Sequence, residues 1–479
     1  HQANKEHVIE KTYVINFPKN LFIPDNHEHF SLMGWSSEWN HYLMSCIIKN
    51  YTKIPCISVQ PPSEINRDFF RDNFKEQRPS SLRRIFTIFT RISNFLSRNG
   101  YAFFLNTYLP TWKELFLQIY MLQLPRLFTT LSFKHSECNT SLREWEINID
   151  NLDNFEKCLY SMISQNIPLS YLEDFKKLST LPSKYGWPKN PSLIWTSNSY
   201  SSDDIFKIWA AQKTSSGIPL VIGQHGGGIG THLFAFYEQH QIQISNSYLS
   251  WGWKEEKYPN VKPIGILKTP KKRISIDSNR KTLLMVTCAL QQQSYHVFSS
   301  FISSQYLAYL DDQFKFVDAL ASDPKKSLIV RANEKALKGG WETNSRWKEK
   351  FKNISINFGD QPISKELDAT KICVATYNAT VFLETLSMNI PTVMFWNPKH
   401  WELRDAAEPY YQELKKAKIL FDNPSLAADH INFIWDDVET WWASETVVSA
   451  KDKFILNFSH QNSALFTDLK NHFLKIKNT

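Results

Sequence analysis

Apolar and polar positions alternate regularly from about residue 140 onwards, where short apolar runs are separated by stretches of helical period. Apolar runs bounded by turn residues predict buried strands, and apolar positions three and four apart predict helices. The first predicted strands are SLIWTS (192–197), PLVIGQ (219–224), SYLSWGW (247–253) and KPIGIL (262–267), with a helix through DDIFKIWAAQK. This order predicts one α/β unit.

A second group of strands follows a basic, Pro- and Ser-containing linker at 268–281. Its predicted members are TLLMVTC (282–288), SLIVRA (327–332), ISINF (354–358), KICVAT (371–376) and PTVMFW (391–396). Strands that alternate with helices predict parallel, doubly wound sheets, which bind ligands at the carboxyl ends of their strands. The predicted fold is therefore α/β, with two Rossmann-like domains facing across a cleft.

The predicted boundaries follow from this alternation. They are an N-terminal Rossmann-like domain with a helical insertion at 1–267 and the linker at 268–281. A C-terminal Rossmann-like domain follows at 282–440, and a helical segment at 441–479 returns to the N-terminal domain. Within the first domain, residues 101–128 predict a pair of helices, because Pro110, Lys113 and Glu114 interrupt any membrane-spanning run. Residues 64–98 predict a basic amphipathic helix, either solvated or in contact with anionic lipid head groups.

Composition narrows the classes of protein. The net charge of +8 is a mild excess without a Lys/Arg stripe, which argues against nucleic acid as a partner. The six cysteines form no CxxC pair, and Cys288 and Cys373 lie in apolar runs typical of buried thiols. We therefore expect a protein of the reducing cytoplasm, with 64–98 as a candidate peripheral contact with the inner membrane.

A glycine-rich turn directly follows the strand PLVIGQ. It reads Gln224-His225-Gly226-Gly227-Gly228. Glycines allow a close backbone approach, and successive N–H groups can face an anion. A plain tight turn is the alternative, but the adjacent histidine favours a wall of the cleft.

A second turn joins the strand KICVA to a helix. Thr376, Asn378 and Thr380 are candidate helix caps, Tyr377 lies among them, and Glu384 comes one turn later. A helix N-terminus at the carboxyl end of a parallel strand is suited to one phosphate. Capping and phosphate binding are compatible interpretations of this turn.

Three more candidates end neighbouring strands. Arg331 closes SLIVRA and could pair with a phosphate or a sugar carboxylate, or form a structural ion pair. Trp396 and Asn397 follow PTVMF, where the indole could cover a base or a sugar, or belong to the core. No HExxH, CxxC or EF-hand pattern occurs, so the sequence predicts no metal site.

The runs QHGGGIG, YEQHQIQISNSYLSWGW and TYNATVFLETLSMNIPTVMFWNP together resemble the retaining β-Kdo glycosyltransferases of bacterial O-antigen and capsule assembly. They also resemble the wider group of surface-carbohydrate transferases that share these motifs. The resemblance covers roughly residues 160–410. It implies the GT-B fold and a CMP-β-Kdo donor, with no metal and no other cofactor.

The resemblance also assigns roles. It implies that the TYNAT turn and Arg331 hold the phosphate and the carboxylate of CMP-Kdo, while His225 and the glycines line the cleft. Glu173 matches the carboxylate of a P-x-x-Y-L-E run and is a candidate acid/base; by chemistry alone it is an unremarkable helical residue. The implied partners are a nucleotide sugar and a lipid-linked or oligosaccharide acceptor of lipopolysaccharide or capsule assembly.

One position departs from the family pattern. Where the pattern reads I-S-D before the WGW strand, this chain has Ile244, Ser245 and Asn246. An aspartate there is the expected nucleophile, since retention is most simply explained by two inversions through a glycosyl-enzyme. An engineered Asp→Asn variant and a natural loss of this step are both open, and Asn246 is expected to face the cleft near His225 and Glu173.

Other classes of function share this architecture. A sugar-nucleotide 2-epimerase and a CDP-glycerol phosphotransferase would each need a diphosphate site. A non-catalytic glycan-binding module is compatible with an amide at position 246. Comparing how tightly CMP, UDP and CDP-glycerol bind to the chain distinguishes these classes from a CMP-sugar transferase.

Overall fold

The computed structural model describes residues 9–18, 20–61, 100–147, 149–268, 280–294, 298–332, 340–359 and 362–477. The amphipathic segment predicted at 64–98 lies outside these ranges, as does most of the linker predicted at 268–281. None of the helices in the described ranges combines the length and hydropathy that a bilayer-spanning segment needs.

The N-terminal half contains two parallel sheets. A small sheet pairs β1 (Thr12–Ile15) with β2 (Cys56–Val59). The main sheet has the order β3-β4-β5-β6-β7, formed by Phe103–Phe104, Ile194–Thr196, Leu220–Gly223, Ser247–Ser250 and Val261–Pro263. The three central strands are buried at every position, which explains why they read as continuous apolar runs rather than as alternating ones.

Helices cover the strands of this half. In chain order they are α1 (His27–Gly34), α2 (Ser37–Tyr51), α3 (Thr111–Tyr120), α4 (Asn154–Asn166), α5 (Phe175–Lys184), α6 (Ser199–Ser202), α7 (Asp204–Thr214) and α8 (Phe236–Gln243), with 3-10 turns at Thr140–Arg143 and Leu169–Tyr171. Helix α7 begins where the Asp203 side chain accepts from the N–H of Phe206, which satisfies an otherwise unpaired donor.

The C-terminal half contains a six-stranded parallel sheet in the order β10-β9-β8-β11-β12-β13. Its strands β8 to β13 are Thr282–Val286, Leu328–Arg331, Ser355–Asn357, Thr370–Ala375, Thr392–Phe395 and Leu420–Phe421. The strand order reverses between β8 and β11, so the loops that follow these two strands diverge and leave a crevice between them. Doubly wound sheets bind ligands at this reversal.

The helices of this half are α9 (Tyr306–Ala319), α10 (Ser322–Lys326), α11 (Thr343–Lys350), α12 (Ile363–Asp368), α13 (Thr380–Ser387), α14 (Glu408–Lys416), α15 (Pro424–Ile434), α16 (Val438–Trp442), α17 (Glu445–Phe458) and α18 (Leu465–Lys477). Two 3-10 turns lie at Ser303–Gln305 and Pro398–His400. Strand β13 was not among the predicted strands, because its two residues are too short for a pattern.

The last helix returns to the N-terminal sheet. The chain crosses at His460, whose N–H donates to the Trp251 carbonyl at 2.8 Å and whose carbonyl accepts from Ile266 at 2.9 Å. The ring centroid of Phe473 on α18 then lies 5.2 Å from that of Trp195 on β4. The predicted return of the C-terminal segment is confirmed.

The two halves share one buried apolar cluster, which includes Trp251 and Trp253 on one side and Phe382 and Trp396 on the other. Two parallel α/β sheets that face each other, with a returning C-terminal helix, form the GT-B fold, as the sequence predicted. One local prediction was wrong. Residues 101–128 form the edge strand β3 and the single helix α3, because Phe103 and Phe104 pair with β4 instead of continuing a helix.

Candidate active site

The carboxyl edges of the two sheets meet where the glycine turn after β5 contacts the N-terminus of α13. The N–H of Gly227 donates to Oγ1 of Thr380 at 3.0 Å. A Cβ on Gly227 would lie 2.6 Å from the carbonyl carbon of Ala379 and 2.8 Å from the Thr380 nitrogen, so only glycine fits here. At the neighbouring Gly226 a Cβ would meet nothing within 4 Å, so that side of the turn is open.

Gln224 shapes this turn from within the protein. Its Oε1 accepts from the Trp251 N–H at 2.9 Å and from Nε1 of Trp253 at 2.8 Å, and its Nε2 donates to the Gly226 carbonyl at 2.9 Å. The side chain is buried with its amide engaged on both sides. The side chain of Gln224 therefore supports the turn, and a direct contact of this residue with the donor stays a prediction.

Asn378 is buried one residue before the N-cap of α13. Its Oδ1 accepts from the Tyr411 hydroxyl at 2.8 Å, and its carbonyl accepts from Nε2 of His232 at 3.1 Å. Its Nδ2 has no hydrogen-bond partner among the described residues. A buried donor without a partner costs free energy, so Asn378 is a candidate for binding an oxygen that arrives with a ligand.

Thr376 and Tyr377 differ in their access to the cleft. The Thr376 hydroxyl is buried, donates to the Val286 carbonyl at 3.1 Å and bonds the Tyr309 hydroxyl at 2.7 Å. It ties β11 to β8, and its predicted contact with the donor stays a prediction. Tyr377 is half-buried, and desolvation raises the pKa of its phenol while the nearby Arg331 opposes that shift.

Arg331 lies at the carboxyl end of β9, as predicted, but its guanidinium is engaged. Nη1 donates to Glu366 at 2.7 Å, and Asn357 donates to the other oxygen of the same carboxylate. The structural ion pair, given above as the alternative for Arg331, is therefore present. Binding of the donor by Arg331 stays a prediction. Glu384 accepts from Lys268 at 3.3 Å, which joins the first turns of α13 to the end of the N-terminal half.

Two further donor candidates have structural roles. The Trp396 indole is buried between the rings of Phe382 and Tyr411, whose centroids lie 6.1 and 6.4 Å away. The prediction that it covers a base or a sugar is therefore wrong. Asn397 caps the 3-10 turn at 398–400 by accepting from the Lys399 N–H at 3.0 Å.

His225 faces the aromatic side chains of the N-terminal half. Its ring centroid lies 5.4 Å from that of Tyr237 and 6.2 Å from that of Tyr108. Desolvation lowers its pKa to about 4, with a smaller contribution from Lys268 and an opposing hydrogen bond to the Ser197 backbone. The imidazole is therefore neutral near pH 7, and its Nδ1 has no partner among the described residues.

An open cavity of about 450 Å³ lies beside His225, at the carboxyl ends of β3 and β4. Tyr108 lines it and links it to the imidazole. Polar groups of the wall include Asn106, Thr107 and Asn198, and the Asn198 Oδ1 is buried without a partner among the described residues. The sequence prediction missed this cavity because FFLNTYLP was taken as helix; an apolar run ended by Asn-Thr and Pro is a signal for a strand followed by a loop.

Glu173 is a structural residue. Its two oxygens accept from Nε and Nη2 of Arg143, both at 2.7 Å, and its side chain is 4% exposed. Arg143 also donates to the carbonyls of Ser164 and Ile167, both at 2.9 Å. A bidentate pair with both oxygens engaged cannot reach a substrate, so the predicted acid/base role of Glu173 is wrong.

Asn246 lies at the opposite edge of the sheet from the glycine turn. It is exposed, and its Oδ1 accepts from the Leu220 N–H at 2.8 Å, where β5 begins. The glycine turn follows the other end of β5, and a four-residue strand spans roughly 13 Å. The predicted position in the cleft is wrong, and with it the nucleophile at 246, because Asn246 orders the start of two parallel strands.

A second histidine holds the two halves together and was not predicted. His232 is buried, and its neutral ring donates from Nε2 to the Asn378 carbonyl. The His232 carbonyl accepts from Arg404 at 3.3 Å, and Arg404 also pairs with Glu238. Desolvation lowers the His232 pKa to about 4, with the positive charge of Arg404 adding to the effect.

These two histidines predict that stability falls in mild acid. His225 and His232 have a pKa of about 4 when folded, against about 6.5 when unfolded, so the unfolded chain takes up more protons below pH 6.5. Stability is then lost as the pH falls from about 6.5 towards 4, by about 2 kcal/mol per histidine at about pH 5. Urea denaturation at pH 7.5 and pH 5 measures this, and the double variant His225→Gln/His232→Gln should show a smaller loss. An equal loss in both proteins would refute the assignment.

The site therefore combines an open glycine turn, the N-terminus of α13 with the unpartnered Nδ2 of Asn378, and a neutral histidine beside a polar cavity. Backbone donors at a helix N-terminus favour an anion, and a neutral imidazole can accept a hydrogen bond from a hydroxyl. Among the described residues, no three His, Cys, Asp or Glu side chains lie close enough together to hold a metal ion.

Among known protein families, the LIC12162 family transferase matches residues 1–473 of the chain. The chain belongs to this family of transferases. No curated protein matches the chain.

Several solved structures are similar in overall architecture. MurG of Acinetobacter baumannii aligns at 10% identity and a TM-score of 0.38, over 79% of this chain and 100% of its own. The UDP complex of S. aureus MnaA aligns at 9% identity and a TM-score of 0.40, over 98% and 97%. A variant of the wall teichoic acid polymerase TagF aligns at 10% identity and a TM-score of 0.36, over 84% and 99%. At such identities these structures do not bear on the substrate of this chain.

Proposed function

We propose that this transferase moves a sugar from a nucleotide donor, which binds between the glycine turn and α13, to an acceptor in the cavity beside His225. One observation carries the proposal. The Gly227 backbone contacts the first residue of α13, next to the unpartnered Nδ2 of Asn378. The glycine turn of the N-terminal half and the helix N-terminus of the C-terminal half thus meet at one point of the cleft, beside the free donor of Asn378.

The chemistry of this point fits a phosphate. The first N–H groups of a helix lack partners within the helix, and the helix dipole adds partial positive charge. Ala379 at the N-cap supplies no side-chain hydrogen bond, so these donors are not satisfied by a cap. A donor phosphate would accept from them and from Asn378, and closure of the glycine turn would exclude water from the bond that breaks.

The acceptor side fits a hydroxyl. The cavity wall offers amide and hydroxyl groups at Asn106, Thr107 and Asn198, which can bind a glycan. His225 belongs to the glycine turn, and its neutral ring contacts Tyr108 of the cavity wall. Its unpartnered Nδ1 is the group that would accept a hydrogen bond from the attacking hydroxyl and withdraw its proton as the new bond forms.

For the donor we propose CMP-Kdo or another CMP-linked acidic sugar, on the resemblance of the glycine and TYNAT runs to the β-Kdo transferases. The same resemblance supports retention of configuration, a metal-independent reaction and a glycan acceptor of surface-polysaccharide assembly at the cytoplasmic face of the inner membrane. Because Asn246 lies at the far edge of the sheet, residue 246 is not the nucleophile of a double displacement. A single attack by the acceptor hydroxyl retains configuration only when it comes from the face that the nucleotide leaves, and this is the attack that we propose.

A comparison of donors tests this function. CMP-Kdo, UDP-N-acetylglucosamine and CDP-glycerol are incubated separately with the chain in the presence of EDTA, and the released nucleotide is measured. We expect nucleotide to be released in the CMP-Kdo incubation alone, because water can replace the glycan acceptor slowly. Release of UDP would favour a UDP-sugar transferase, and release of CMP from CDP-glycerol would favour a phosphotransferase. Conversion of the UDP-sugar to its 2-epimer, followed by chromatography of the sugar nucleotide, would favour an epimerase. Each of these results would contradict the proposed donor.

A further inference from the structure

Helix α3 buries the apolar Leu117 together with the polar Glu114 and Gln118, and it exposes an apolar face. A helix on the surface of a soluble protein turns its apolar side chains inwards. In α3 the buried positions include Glu114 and Gln118, which bond Thr107 and the backbone of Arg126. Its outward stripe, spaced as neighbours on one helix face, is apolar: Trp112, Phe116, Ile119 and Tyr120.

The stripe continues into the turn that follows the helix. Leu122 is 87% exposed and has a φ of 59°, a left-handed conformation that glycine or asparagine would adopt more readily. Leu124 is exposed beside it. Together with the four residues of the helix, these two leucines form the apolar stripe. Contact with water gives no reason for the large apolar side chain of Leu122 to be exposed at a residue whose left-handed backbone is unfavourable for leucine.

Lysines border the apolar stripe. Lys113 lies with its ammonium 5.5 Å from the Trp112 ring, and Lys470 of α18 lies 4.1 Å from the Tyr120 ring. Helix α18 also carries Lys475 and Lys477 in its last turn. A membrane surface has an apolar layer of acyl chains and a layer of anionic head groups. The aromatic and aliphatic side chains of the stripe match the acyl chains, and the lysines at its border match the head groups.

We propose that the apolar stripe seats this protein on an anionic phospholipid bilayer, with Trp112, Ile119 and Leu122 in the acyl boundary and Lys113 and Lys470 among the phosphates. The surface differs from the basic segment predicted at 64–98 and goes beyond the transfer reaction. It also places the acceptor, because Pro110 and Thr111 at the start of α3 line the cavity beside His225. That last step rests on the proposed function and selects an acceptor that is linked to a membrane lipid.

Vesicle flotation tests the proposal without any nucleotide. The full chain is mixed with vesicles of equimolar phosphatidylcholine and phosphatidylglycerol, or of phosphatidylcholine alone. We expect binding to the anionic vesicles, which the variant Trp112→Gln/Ile119→Gln/Leu122→Asn weakens about a hundredfold through the loss of three buried apolar side chains. Leu122→Asn suits the left-handed turn, so this variant should fold. Lys113→Gln/Lys470→Gln should weaken binding about tenfold or more on anionic vesicles only.

The matched control is Leu426→Gln/Phe433→Gln on α15, where the two side chains are 58% and 86% exposed but belong to the other half of the molecule. It should bind vesicles as the unmodified chain does. Absence of binding by the unmodified chain, or equal binding by the triple variant, would overturn the proposal. So would a self-association of the chain that the triple variant abolishes while vesicle binding persists. Donor turnover is measured separately, so a failure of the transfer reaction leaves this result interpretable.

Discussion

Replacing Gly227 with alanine should reduce turnover at least about a hundredfold. The new Cβ would lie 2.6 Å from the Ala379 carbonyl carbon and 2.8 Å from the Thr380 nitrogen, and both are backbone atoms that cannot rotate away. The glycine turn must then move away from α13 and lose the hydrogen bond from Gly227 to Thr380. A displacement of about 1 Å in a catalytic cleft costs roughly this factor in rate.

The neighbouring glycine supplies the control for this experiment. A Cβ on Gly226 would meet nothing within 4 Å, so Gly226→Ala should retain the stability of the unmodified chain. Turnover is measured as CMP released from CMP-Kdo, and thermal unfolding separates local displacement from global loss of structure. If Gly227→Ala kept turnover within about threefold of the unmodified chain, the contact between the glycine turn and α13 would not be part of the active conformation.

Replacing His225 with glutamine should lower the turnover number by about 10²- to 10⁴-fold, the range typical for loss of a group that transfers a proton. The imidazole is neutral, its Nδ1 has no partner among the described residues, and its ring contacts Tyr108 of the cavity wall. The affinity for CMP should change little, because the proposed phosphate donors belong to α13 and Asn378.

The control for this variant is another buried histidine. His472 bonds the Ser247 hydroxyl at 2.7 Å, and burial likewise lowers its pKa to about 4, but it lies on α18 away from the cleft. His472→Gln should leave turnover unchanged. A loss of CMP affinity in His225→Gln as large as its loss of turnover would assign His225 to donor binding instead of the acceptor hydroxyl.

The sequence predicts the two sheets well because buried parallel strands are continuous apolar runs. SLIWTS, PLVIGQ and KICVAT each became a strand, and the turns that follow the last two strands, at Gly227 and Thr380, meet as two carboxyl edges should. The edge strand Phe103–Phe104 was missed, because two paired residues leave no period to detect.

Individual side-chain roles were harder to predict, for physical reasons. Asn246 was placed beside the glycine turn, but a residue that begins one parallel strand lies at the opposite edge from a residue that ends its neighbour. Glu173 looked available because its partner Arg143 is 30 residues away in sequence. For Trp396, the sequence position after a strand is compatible with a cleft or with the core. Only the contacts of its indole with the rings of Phe382 and Tyr411 show that it belongs to the core.

The central claim is that the donor phosphate binds at Asn378 and the first turn of α13, and calorimetric titration of CMP in EDTA measures it most directly. Asn378→Asp keeps the oxygen that accepts from Tyr411 but replaces the unpartnered Nδ2 with an acceptor that repels a phosphate. Asn246→Asp serves as the control at the far edge of the sheet. The account predicts that Asn378→Asp binds CMP about a hundredfold more weakly, while Asn246→Asp binds it as the unmodified chain does. Equal binding by Asn378→Asp and the unmodified chain would contradict it.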